Sequence, residues 1–544
     1  MPNSHNASAS NLRVGSYADG LLLVGFCGFL FFFGLSAFGL IGADEPRYAQ
    51  VAREMLARHD WITPTLGGHA WLEKPPLYYW QAMLAYRFFG VRDWAARLPS
   101  AVDATVLVIA IYFFLRRFRQ GFQLDGALIT ASAAGIIGFA RAASTDMPLT
   151  VAFAIAMLAW FSWHQTAKRR DLAVFYFFLA LGTLAKGPVA LFLAFIIVVL
   201  FAAAAREWNP IRRTFWLPGI LLFCIVALPW YVAVQLRNPE FFRVFILQHN
   251  LERFSSNLYR HREPFWYYLP VTLLALVPWT VLVLRSLIKH VNTWLKQRRA
   301  QLQSGDLFGI FLAIWLLTPM LFFSFSQSKL PGYILPAVPA GALLVVEQAR
   351  RQSHENKLDL RIIIFHSIVS AALLIPARTI QYLILQHRLP WNSATAIASF
   401  LAIALAVGLV LTLQKQPALR MLRFVTLIPV VLAVGAALRI GAPALDSTLS
   451  ARPLTEVVAA TELQPMPLAV FRVSRELEFG LQFYRDQVPR RYELGPVPAS
   501  EHLLIAPAGS QLAIAKRIPG RRISYLGTFA PQGLDYFWVS AASR

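Results

Sequence analysis

Residues 187–205 read GPVALFLAFIIVVLFAAAA and end at the first charge after Lys186, which is Arg206. An apolar run of about 18 or more residues is long enough to cross the roughly 30 Å hydrocarbon core of a bilayer as an α-helix. Comparable runs recur through the first 440 or so residues. This stretch and its repeats therefore predict a protein made of membrane-spanning helices.

Composition supports the same fold class. The chain has 544 residues, of which 57% are hydrophobic and only 15% are charged. A soluble domain is nearer to half apolar and a quarter charged. We therefore expect a polytopic α-helical membrane protein, and we exclude a soluble enzyme, a collagen-like chain and a disordered chain.

The hydropathy pattern divides the chain into about thirteen spans. Their predicted limits are 18–41, 97–115, 123–141, 146–164, 172–185, 187–205, 215–235, 266–287, 307–325, 332–349, 361–377, 393–413 and 423–441. The loop after every even-numbered span is rich in Lys and Arg, as cytoplasmic loops are. The first sixteen residues are then a disordered cytoplasmic tail, and the C-terminus lies on the outer side of the membrane.

The net charge of +23, from 51 Lys plus Arg and 28 Asp plus Glu, has the same explanation. Such an excess can indicate nucleic-acid binding. Here the positive residues lie in short loops between apolar runs, where they orient a membrane protein and contact membrane lipids. We therefore expect no nucleic-acid partner.

The domain plan follows from these limits. Residues 17–442 form the transmembrane domain, with long outer-face loops at 42–96 and 237–265. Residues 443–544 are expected to form a small soluble α/β domain on the periplasmic side, because β-rich runs separated by turn residues begin there. Those runs are LAVFRVS, LQFYR, HLLIAPA, RRISYLG and DYFWVS.

Charged and hydroxyl side chains collect at the outer ends of the predicted spans. They are Asp44, Glu73, Lys74, Asp146, Lys186, His261, Arg262, Lys329 and Tyr333. Ionisable groups at a membrane edge are costly to desolvate, so a cluster of them suggests a polar cavity. Acids, bases and hydroxyls together suit a phosphate-bearing ligand with an acid/base or metal function. Local alternatives remain, since Asp44 and Asp146 suit helix caps and Lys186 suits an interfacial lysine.

The outer location also limits the substrate. No glycine-rich nucleotide-binding loop occurs in the sequence, so we expect no nucleotide cofactor. Activated nucleotides are not available outside the cell. A transferase on this face therefore takes its activated group from a lipid carrier, for which a polyprenyl-phosphate sugar is the obvious class.

Six motifs carry a family resemblance. In order they read DEPRYAQVAREML, LEKPPLYYW, TDMP, AKGP, RHREPFWYYLP and SKLPGYILPAVP. Over residues 20–345 the chain resembles the bacterial aminoarabinose transferase family. That family lies within the protein mannosyltransferase-like, lipid-carrier-dependent type C glycosyltransferases. The resemblance implies a multi-pass enzyme of the bacterial inner membrane with its active site facing the periplasm.

The resemblance also implies roles for the outer residues. Asp44 matches the essential acid of the first loop, and Asp146 matches a second acid. Glu73 matches a residue linked to a divalent metal such as zinc, with His261 as a second ligand. A basic and hydroxyl shell for the carrier phosphate would consist of Lys74, Lys186, Arg262, Lys329 and Tyr333.

The implied reaction moves 4-amino-4-deoxy-L-arabinose from undecaprenyl phosphate to lipid A. A close alternative keeps the fold and uses another polyprenyl-phosphate sugar, such as a hexose, with a glycan or protein acceptor. A transporter or flippase is disfavoured, because the acids lie at span ends and no internal repeat is evident. A non-catalytic scaffold gives no reason for acids and lysines to share one membrane edge.

Overall fold

The structure is a computed structural model that describes residues 17–252, 263–296, 304–355, 360–372, 418–462 and 464–542. Four predictions lie outside the described residues: the disordered tail over 1–16, the span at 393–413, and the roles of His261 and Arg262.

Helices account for most of the described chain. The bounds of the helices as far as the α12 segment are α1 Tyr17–Phe32, α2 Asp44–Ala57, α3 Leu77–Phe89, α4 Asp93–Phe118, α5 Gln123–Ala131, α6 Ala134–Ala140, α7 Asp146–Thr166, α8 Arg169–Lys186, α9 Val189–Ala205, α10 Asn209–Thr214, α11 Leu217–Arg237 and α12 Phe242–Glu252. Those that follow are α13 Tyr268–Ala275, α14 Thr280–Lys296, α15 Ser304–Ser324, α16 Val338–Glu355, α17 Leu360–Ala372, α18 Ala418–Ala436, α19 Ala442–Leu449, α20 Arg452–Ala459, α21 Arg475–Arg485 and α22 Gln511–Arg517.

Several helices have the length and composition of membrane spans, which confirms the helical membrane fold. Within the described ranges, five helices are long and apolar enough to cross a membrane, or up to eight when bent pairs are each taken as one span. One bent pair is α5 and α6, which meet at 63°. Another joins residues 265–275 to α14 at 116°. The number of thirteen spans stays a prediction.

The first outer loop is folded on itself rather than extended. Helices α2 and α3 pack together, and a short antiparallel hairpin, β1 Thr65–Leu66 with β2 His69–Ala70, follows α2. The ring of Tyr48 in α2 packs against those of Tyr78 and Tyr79 in α3, tilted to the first and edge-on to the second, with ring centroids 6.2 Å apart in each case. Such aromatic pairs hold the two helices in a fixed orientation. These residues therefore form a folded unit, which we call the α2–α3 platform, rather than an extended loop.

The last hundred residues form an α/β unit around a five-stranded sheet. Its strands are β3 Leu468–Val470, β4 Arg490–Arg491, β5 His502–Pro507, β6 Ile523–Phe529 and β7 Leu534–Val539. They lie side by side in the order β4-β3-β5-β7-β6. β5 is parallel to β3 and antiparallel to β7, and it is buried along nearly its whole length because apolar clusters cover both faces of the sheet.

One predicted strand in this unit is wrong. The run LQFYR lies at the end of α21, not in the sheet. Ser474 caps this helix by accepting a hydrogen bond from the Leu477 amide at 3.3 Å, and Glu476 and Glu478 occupy its first turn. A cap followed by acids starts a helix, and a run of five residues is too short for its own periodicity to decide.

Polar contacts join the α/β unit to the residues next to the α2–α3 platform. Arg452 binds Asp93 of α4 at 2.8 Å and Asp446 at 2.7 Å. The hydroxyl of Tyr484 on α21 accepts a hydrogen bond of 2.7 Å from the Leu40 amide. Since α21 also packs on α2, the unit forms one wall beside the first motif.

Candidate functional site

The first motif places two adjacent acids in different environments. Asp44 and Glu45 begin α2, and Pro46 in the first turn favours a helix start there. Glu45 is buried and binds Arg97 of α4 at 2.6 Å. Arg97 is 0% exposed and also donates to the carbonyls of Leu35, Phe38 and Gly39. We call this fully hydrogen-bonded group the Arg97 anchor, and it fixes the position of α2.

Asp44 is turned towards solvent instead. Its side chain is 49% exposed, and it accepts a hydrogen bond of 2.5 Å from Arg47, three residues along the same helix. The residue before α2 is Ala43, and no side chain caps the helix there. Asp44 is therefore not a helix cap, and its carboxylate is held in place by a guanidinium.

Arg47 is the centre of the first half of the site. Its guanidinium lies 3.9 Å from Glu73, which belongs to the second motif. It also lies over three aromatic rings, at 5.2 Å from Tyr48, 5.2 Å from Trp71 and 5.8 Å from Phe479 of α21. A guanidinium that lies over aromatic rings is attracted to their faces, and its N–H groups remain able to donate to other groups.

Three buried polar atoms around Arg47 lack a partner. Arg47 Nε, Trp71 Nε1 and the Tyr79 hydroxyl make no hydrogen bond to any described residue. A buried polar group without a partner costs about 1–3 kcal/mol, so native proteins rarely keep several together. Their concentration beside Asp44 and Glu73 indicates a place where a polar ligand is bound.

The second half of the site lies where α7 begins and α8 ends. Asp146 is the first residue of α7 and forms an ion pair with Lys186, the last residue of α8. Each charge complements the dipole at its helix end. Gly187 follows with φ of 86°, which lets α8 stop and the chain turn at once into α9. The motifs TDMP and AKGP thus meet, so Lys186 is not merely an interfacial lysine and Asp146 is not merely a helix cap.

The SKLPGY motif completes this half. The ammonium of Lys186 lies 4.7 Å from the ring centre of Tyr333. Gly332 is so close to Asp146 that a Cβ built on it would lie 2.6 Å from the carboxyl carbon. Only glycine allows the backbone to approach the carboxylate in this way.

The two halves meet at the start of α2. Glu45, next to Asp44 in the chain, accepts a hydrogen bond of 2.8 Å from the amide of Ala143, three residues before Asp146. Tyr48 of the same helix is buried, and burial raises the pKa of its phenol well above the usual value, as do the charges of Asp44 and Asp146, while Arg47 lowers it. The halves therefore form one neighbourhood. We name it the mixed-charge cluster, and its members are Asp44, Arg47, Glu73, Asp146, Lys186 and Tyr333.

Two predicted phosphate ligands lie beside this cluster in other settings. Lys329 is buried, and its ammonium donates to the Ser326 carbonyl at 2.6 Å and the Glu263 carbonyl at 3.0 Å. Lys74 is half-buried next to Glu73 in the chain. Their roles stay predictions, as do those of all the other residues assigned from sequence.

The described residues do not make up a metal site by themselves. Among them, no three His, Cys, Asp or Glu side chains come together. Glu73 has the Arg47 guanidinium as a neighbour, which competes with a cation for the carboxylate. A zinc site needs three or four protein ligands. The metal prediction for Glu73 and His261 therefore stays a prediction, and no chemical step is derived through a metal.

Sequence reasoning missed four members of this neighbourhood: Arg47, Tyr48, Tyr79 and Phe479. For the first two a signal existed, because residues three and four positions after Asp44 share its helix face. Tyr79 lies in the aromatic run Tyr78-Tyr79-Trp80, and the sequence does not show which tyrosine hydroxyl would face the site. Phe479 comes from a distant segment, and only the folded chain brings it to Arg47.

Sequence comparison identifies similar proteins. Residues 73–232 match the model of the family described as dolichyl-phosphate-mannose-protein mannosyltransferase. The chain is 34% identical over 326 residues to an undecaprenyl phosphate-alpha-4-amino-4-deoxy-L-arabinose arabinosyl transferase of Edwardsiella ictaluri, covering 59% of this chain and 57% of that one. It is 32% identical to the protein of the same name from Pseudomonas aeruginosa, covering 60% of this chain and 58% of that one. The match therefore spans less than two thirds of these relatives.

Solved structures extend the likeness to almost the whole chain. ArnT from Cupriavidus metallidurans bound to undecaprenyl phosphate superposes with a TM-score of 0.76 at 22% identity, covering 95% of this chain and 97% of that one. Its apo structure gives 0.74 at 21% identity, covering 97% and 100%. The chain thus has the ArnT-like fold of type C glycosyltransferases, and its resemblance to the aminoarabinose transferase family, read from six motifs, is confirmed.

Proposed function

We propose that the protein is a glycosyltransferase of the bacterial inner membrane that moves 4-amino-4-deoxy-L-arabinose from undecaprenyl phosphate to lipid A on the periplasmic face. The observation that carries this proposal is the mixed-charge cluster, in which contacts between side chains and backbone bring together motifs that are far apart in the sequence. The names of the sequence relatives and the undecaprenyl phosphate bound in the similar ArnT structure support the choice of donor.

The carrier phosphate is proposed to bind at Lys186 and Tyr333. The leaving group departs as an anion, so it needs cations and hydrogen-bond donors more than a general acid. Lys186 is already held at the membrane edge by Asp146, so a phosphate arriving there meets an oriented ammonium. Lys74, Lys329 and Arg262 are proposed to add to this shell.

The donor sugar is proposed to occupy the first half of the cluster. The unpartnered atoms of Arg47, Trp71 and Tyr79 supply donors for hydroxyl and ring oxygens. The half-exposed carboxylate of Asp44 can accept from a sugar hydroxyl or pair with a sugar ammonium. The aromatic rings around Arg47 give the sugar an apolar wall.

In the proposed reaction an acceptor oxygen attacks the anomeric carbon. The bond from that carbon to the phosphate oxygen breaks, and its electron pair stays on undecaprenyl phosphate. If the acceptor is a hydroxyl, Asp44 takes its proton. If the acceptor is a phosphate of lipid A, no proton moves and Asp44 orients the sugar.

We further propose that the chain crosses the membrane thirteen times and that the α/β unit lies in the periplasm.

Replacing Asp44 tests the assignment. We expect Asp44→Asn to reduce transfer at least about 100-fold, because the isosteric amide cannot act as a base or pair with an ammonium. The variant should accumulate and melt like the wild type, since the side chain is half exposed. The measurement is the mass of lipid A extracted from cells that express each variant in a strain lacking this activity.

A matched control is available on the same outer face. Glu240 also pairs with an arginine three residues later, at 3.5 Å from Arg243, and both side chains are 65% exposed. Glu240→Gln should leave transfer unchanged. Normal turnover by Asp44→Asn would refute the role of the acid. The wild type could instead leave lipid A unmodified and add a hexose to another envelope molecule. That result would replace the proposed donor sugar and acceptor, while the glycosyltransferase fold would stand.

A further inference from the structure

A polar cavity lies at the opposite ends of the helices that carry Asp146 and Lys186. It has a volume of about 780 Å³. Its walls come from the α7–α8 turn and from the connection between α9 and α11, and include Trp163, His164, Arg169, Arg206, Trp208 and Arg213. Helix α7 has 21 residues and is therefore roughly 30 Å long, so the cavity and the mixed-charge cluster lie near opposite faces of a membrane.

The residues that line this cavity carry an excess of positive charge, whereas the mixed-charge cluster contains charges of both signs. Three arginines line it, Arg169, Arg206 and Arg213, against one acid, Glu207. The three come from two separate connections and converge only in the fold. Arg206 ends α9 with φ of 54°, a conformation that favours glycine, so the chain carries a guanidinium at a position where a side chain is conformationally costly.

The walls are fixed by contacts among themselves. Thr214 accepts a hydrogen bond of 2.9 Å from Trp160 of α7 at its hydroxyl, and one of 2.6 Å from Tyr176 of α8 at its carbonyl. Arg169 lies over the Trp216 ring at 5.4 Å. The α9–α11 connection is thereby tied to both helices, and the cavity exists before any ligand arrives.

Apolar surface leads from the cavity along the membrane-facing side of α11. Trp208 and Phe215 are 59% and 66% exposed at its rim, where aromatic side chains suit a bilayer interface. From Leu217 an exposed stripe continues at helical spacing. It consists of Leu217, Leu221, Ile225, Leu228 and Val232. A ligand with a phosphate in the cavity can therefore lay an acyl chain on this stripe.

We infer that this cavity binds the phosphate headgroup of an anionic glycerophospholipid of the leaflet opposite the mixed-charge cluster. The shared chemistry is a phosphate among arginines, which also suits a soluble anion. The apolar stripe and the exposed rim aromatics favour the lipid. Such a lipid would fix the α7–α8 pair at its inner end while the substrate is bound at its outer end.

Neighbouring arginines provide a matched test. Arg170 and Arg212 are exposed, adjoin Arg169 and Arg213 in the chain, and do not line the cavity. The full-length protein in a neutral detergent is titrated with phosphatidylglycerol, phosphatidylcholine or inorganic phosphate, and bound lipid is measured by native mass spectrometry. Binding is measured without turnover, so the result is independent of which sugar the protein transfers.

We expect phosphatidylglycerol to bind and phosphatidylcholine to bind far more weakly. The variant Arg169→Gln/Arg213→Gln should weaken phosphatidylglycerol binding about 25-fold, since each of the two basic residues near a lipid surface contributes about a factor of five. The variant Arg170→Gln/Arg212→Gln should stay within about twofold of the wild type, because the cavity keeps its charge.

Three outcomes would overturn the inference. Equal losses in the two double variants would mean that the arginines only set the charge of this face. Equal binding of both lipids would remove the anionic requirement. Displacement of phosphatidylglycerol by equimolar inorganic phosphate would make the cavity a soluble-anion site. If the first double variant fails to accumulate, Arg213→Gln against Arg212→Gln gives the same comparison with about a fivefold expected effect.

Discussion

The Arg97 anchor and the mixed-charge cluster both contain residues of the first motif, DEPRY at 44–48, but they differ in how well their polar atoms are hydrogen-bonded. In the anchor, Arg97 and Glu45 are buried and every guanidinium nitrogen donates to an acceptor. In the cluster, Asp44 is half exposed and Arg47 Nε finds no partner among the described residues. The satisfied ion pair holds the fold, whereas we propose that the unsatisfied one is prepared for a ligand. Counting hydrogen bonds thus distinguishes the environments of two adjacent residues, Asp44 and Glu45.

The largest effect is expected for Lys186. Lys186→Gln should reduce transfer about 100- to 1,000-fold, because it removes the cation that we propose to bind the leaving phosphate. The double variant Asp146→Asn/Lys186→Gln should recover the stability of the wild type without recovering transfer, since both charges of the pair are then gone. Transfer rates and melting temperatures of the purified enzyme measure this.

Lys296 supplies the control, since it is also a lysine on a helix and is exposed. Lys296→Gln should behave as the wild type in both assays. A double variant that regains turnover would mean that the pair only holds α7 against α8.

Glu45 should affect stability rather than chemistry. Glu45→Gln leaves the Arg97 guanidinium buried without its counter-charge, and we expect the free energy of unfolding to fall by about 3–5 kcal/mol. Thermal unfolding in detergent, and the amount of folded protein in membranes, measure the loss. If Glu45→Gln instead melts normally and stops turnover, the contrast with Asp44 is wrong.

The neighbouring tyrosines of α3 offer a finer comparison. The Tyr78 hydroxyl donates to the Ala96 carbonyl at 2.8 Å, whereas the Tyr79 hydroxyl has no partner among the described residues. Tyr78→Phe should cost about 1 kcal/mol of stability and leave KM unchanged. Tyr79→Phe should cost no stability and raise KM for the donor several-fold. Steady-state kinetics beside melting curves separate the two, and the reverse pattern would contradict the assignment of the unpartnered atoms to the ligand.

The smallest effect is a pH dependence in the α/β unit. Burial lowers the pKa of the His502 imidazole and Arg521 lowers it further, whereas the hydrogen bond that the imidazole donates to the Ser500 carbonyl raises it. The unfolded chain, with an ordinary histidine pKa of about 6.5, therefore binds the proton more readily than the folded chain. Stability of this unit should be constant above that value and decline as the pH falls through about 6.5.

Pulse proteolysis in urea at about pH 5 and about pH 7.5 measures that dependence. His502→Gln should reduce it, because the amide does not titrate and can still bond to Tyr492. His69→Gln, at an exposed histidine, should leave it as in the wild type. An unchanged slope in His502→Gln would assign the effect to other groups.

The sequence predicted the helical membrane fold because apolar runs of span length leave few alternatives. It also brought Asp146 and Lys186 together correctly, since both lie at ends of predicted spans on one face. It did not separate Asp44 from Glu45, because their difference depends on Arg97, whose partner is fixed only by how α4 packs. It misassigned LQFYR, since a short run has no period of its own and the deciding cap lies upstream at Ser474.

Gly332 sets a limit on how this protein can change. The gap between its backbone and the Asp146 carboxylate holds a hydrogen atom and nothing larger. Every amino acid that a single nucleotide change can substitute for glycine brings a carbon into that gap. No single substitution at this position is therefore small enough to fit. The backbone around Gly332 can change its position only if the Asp146 carboxylate moves with it.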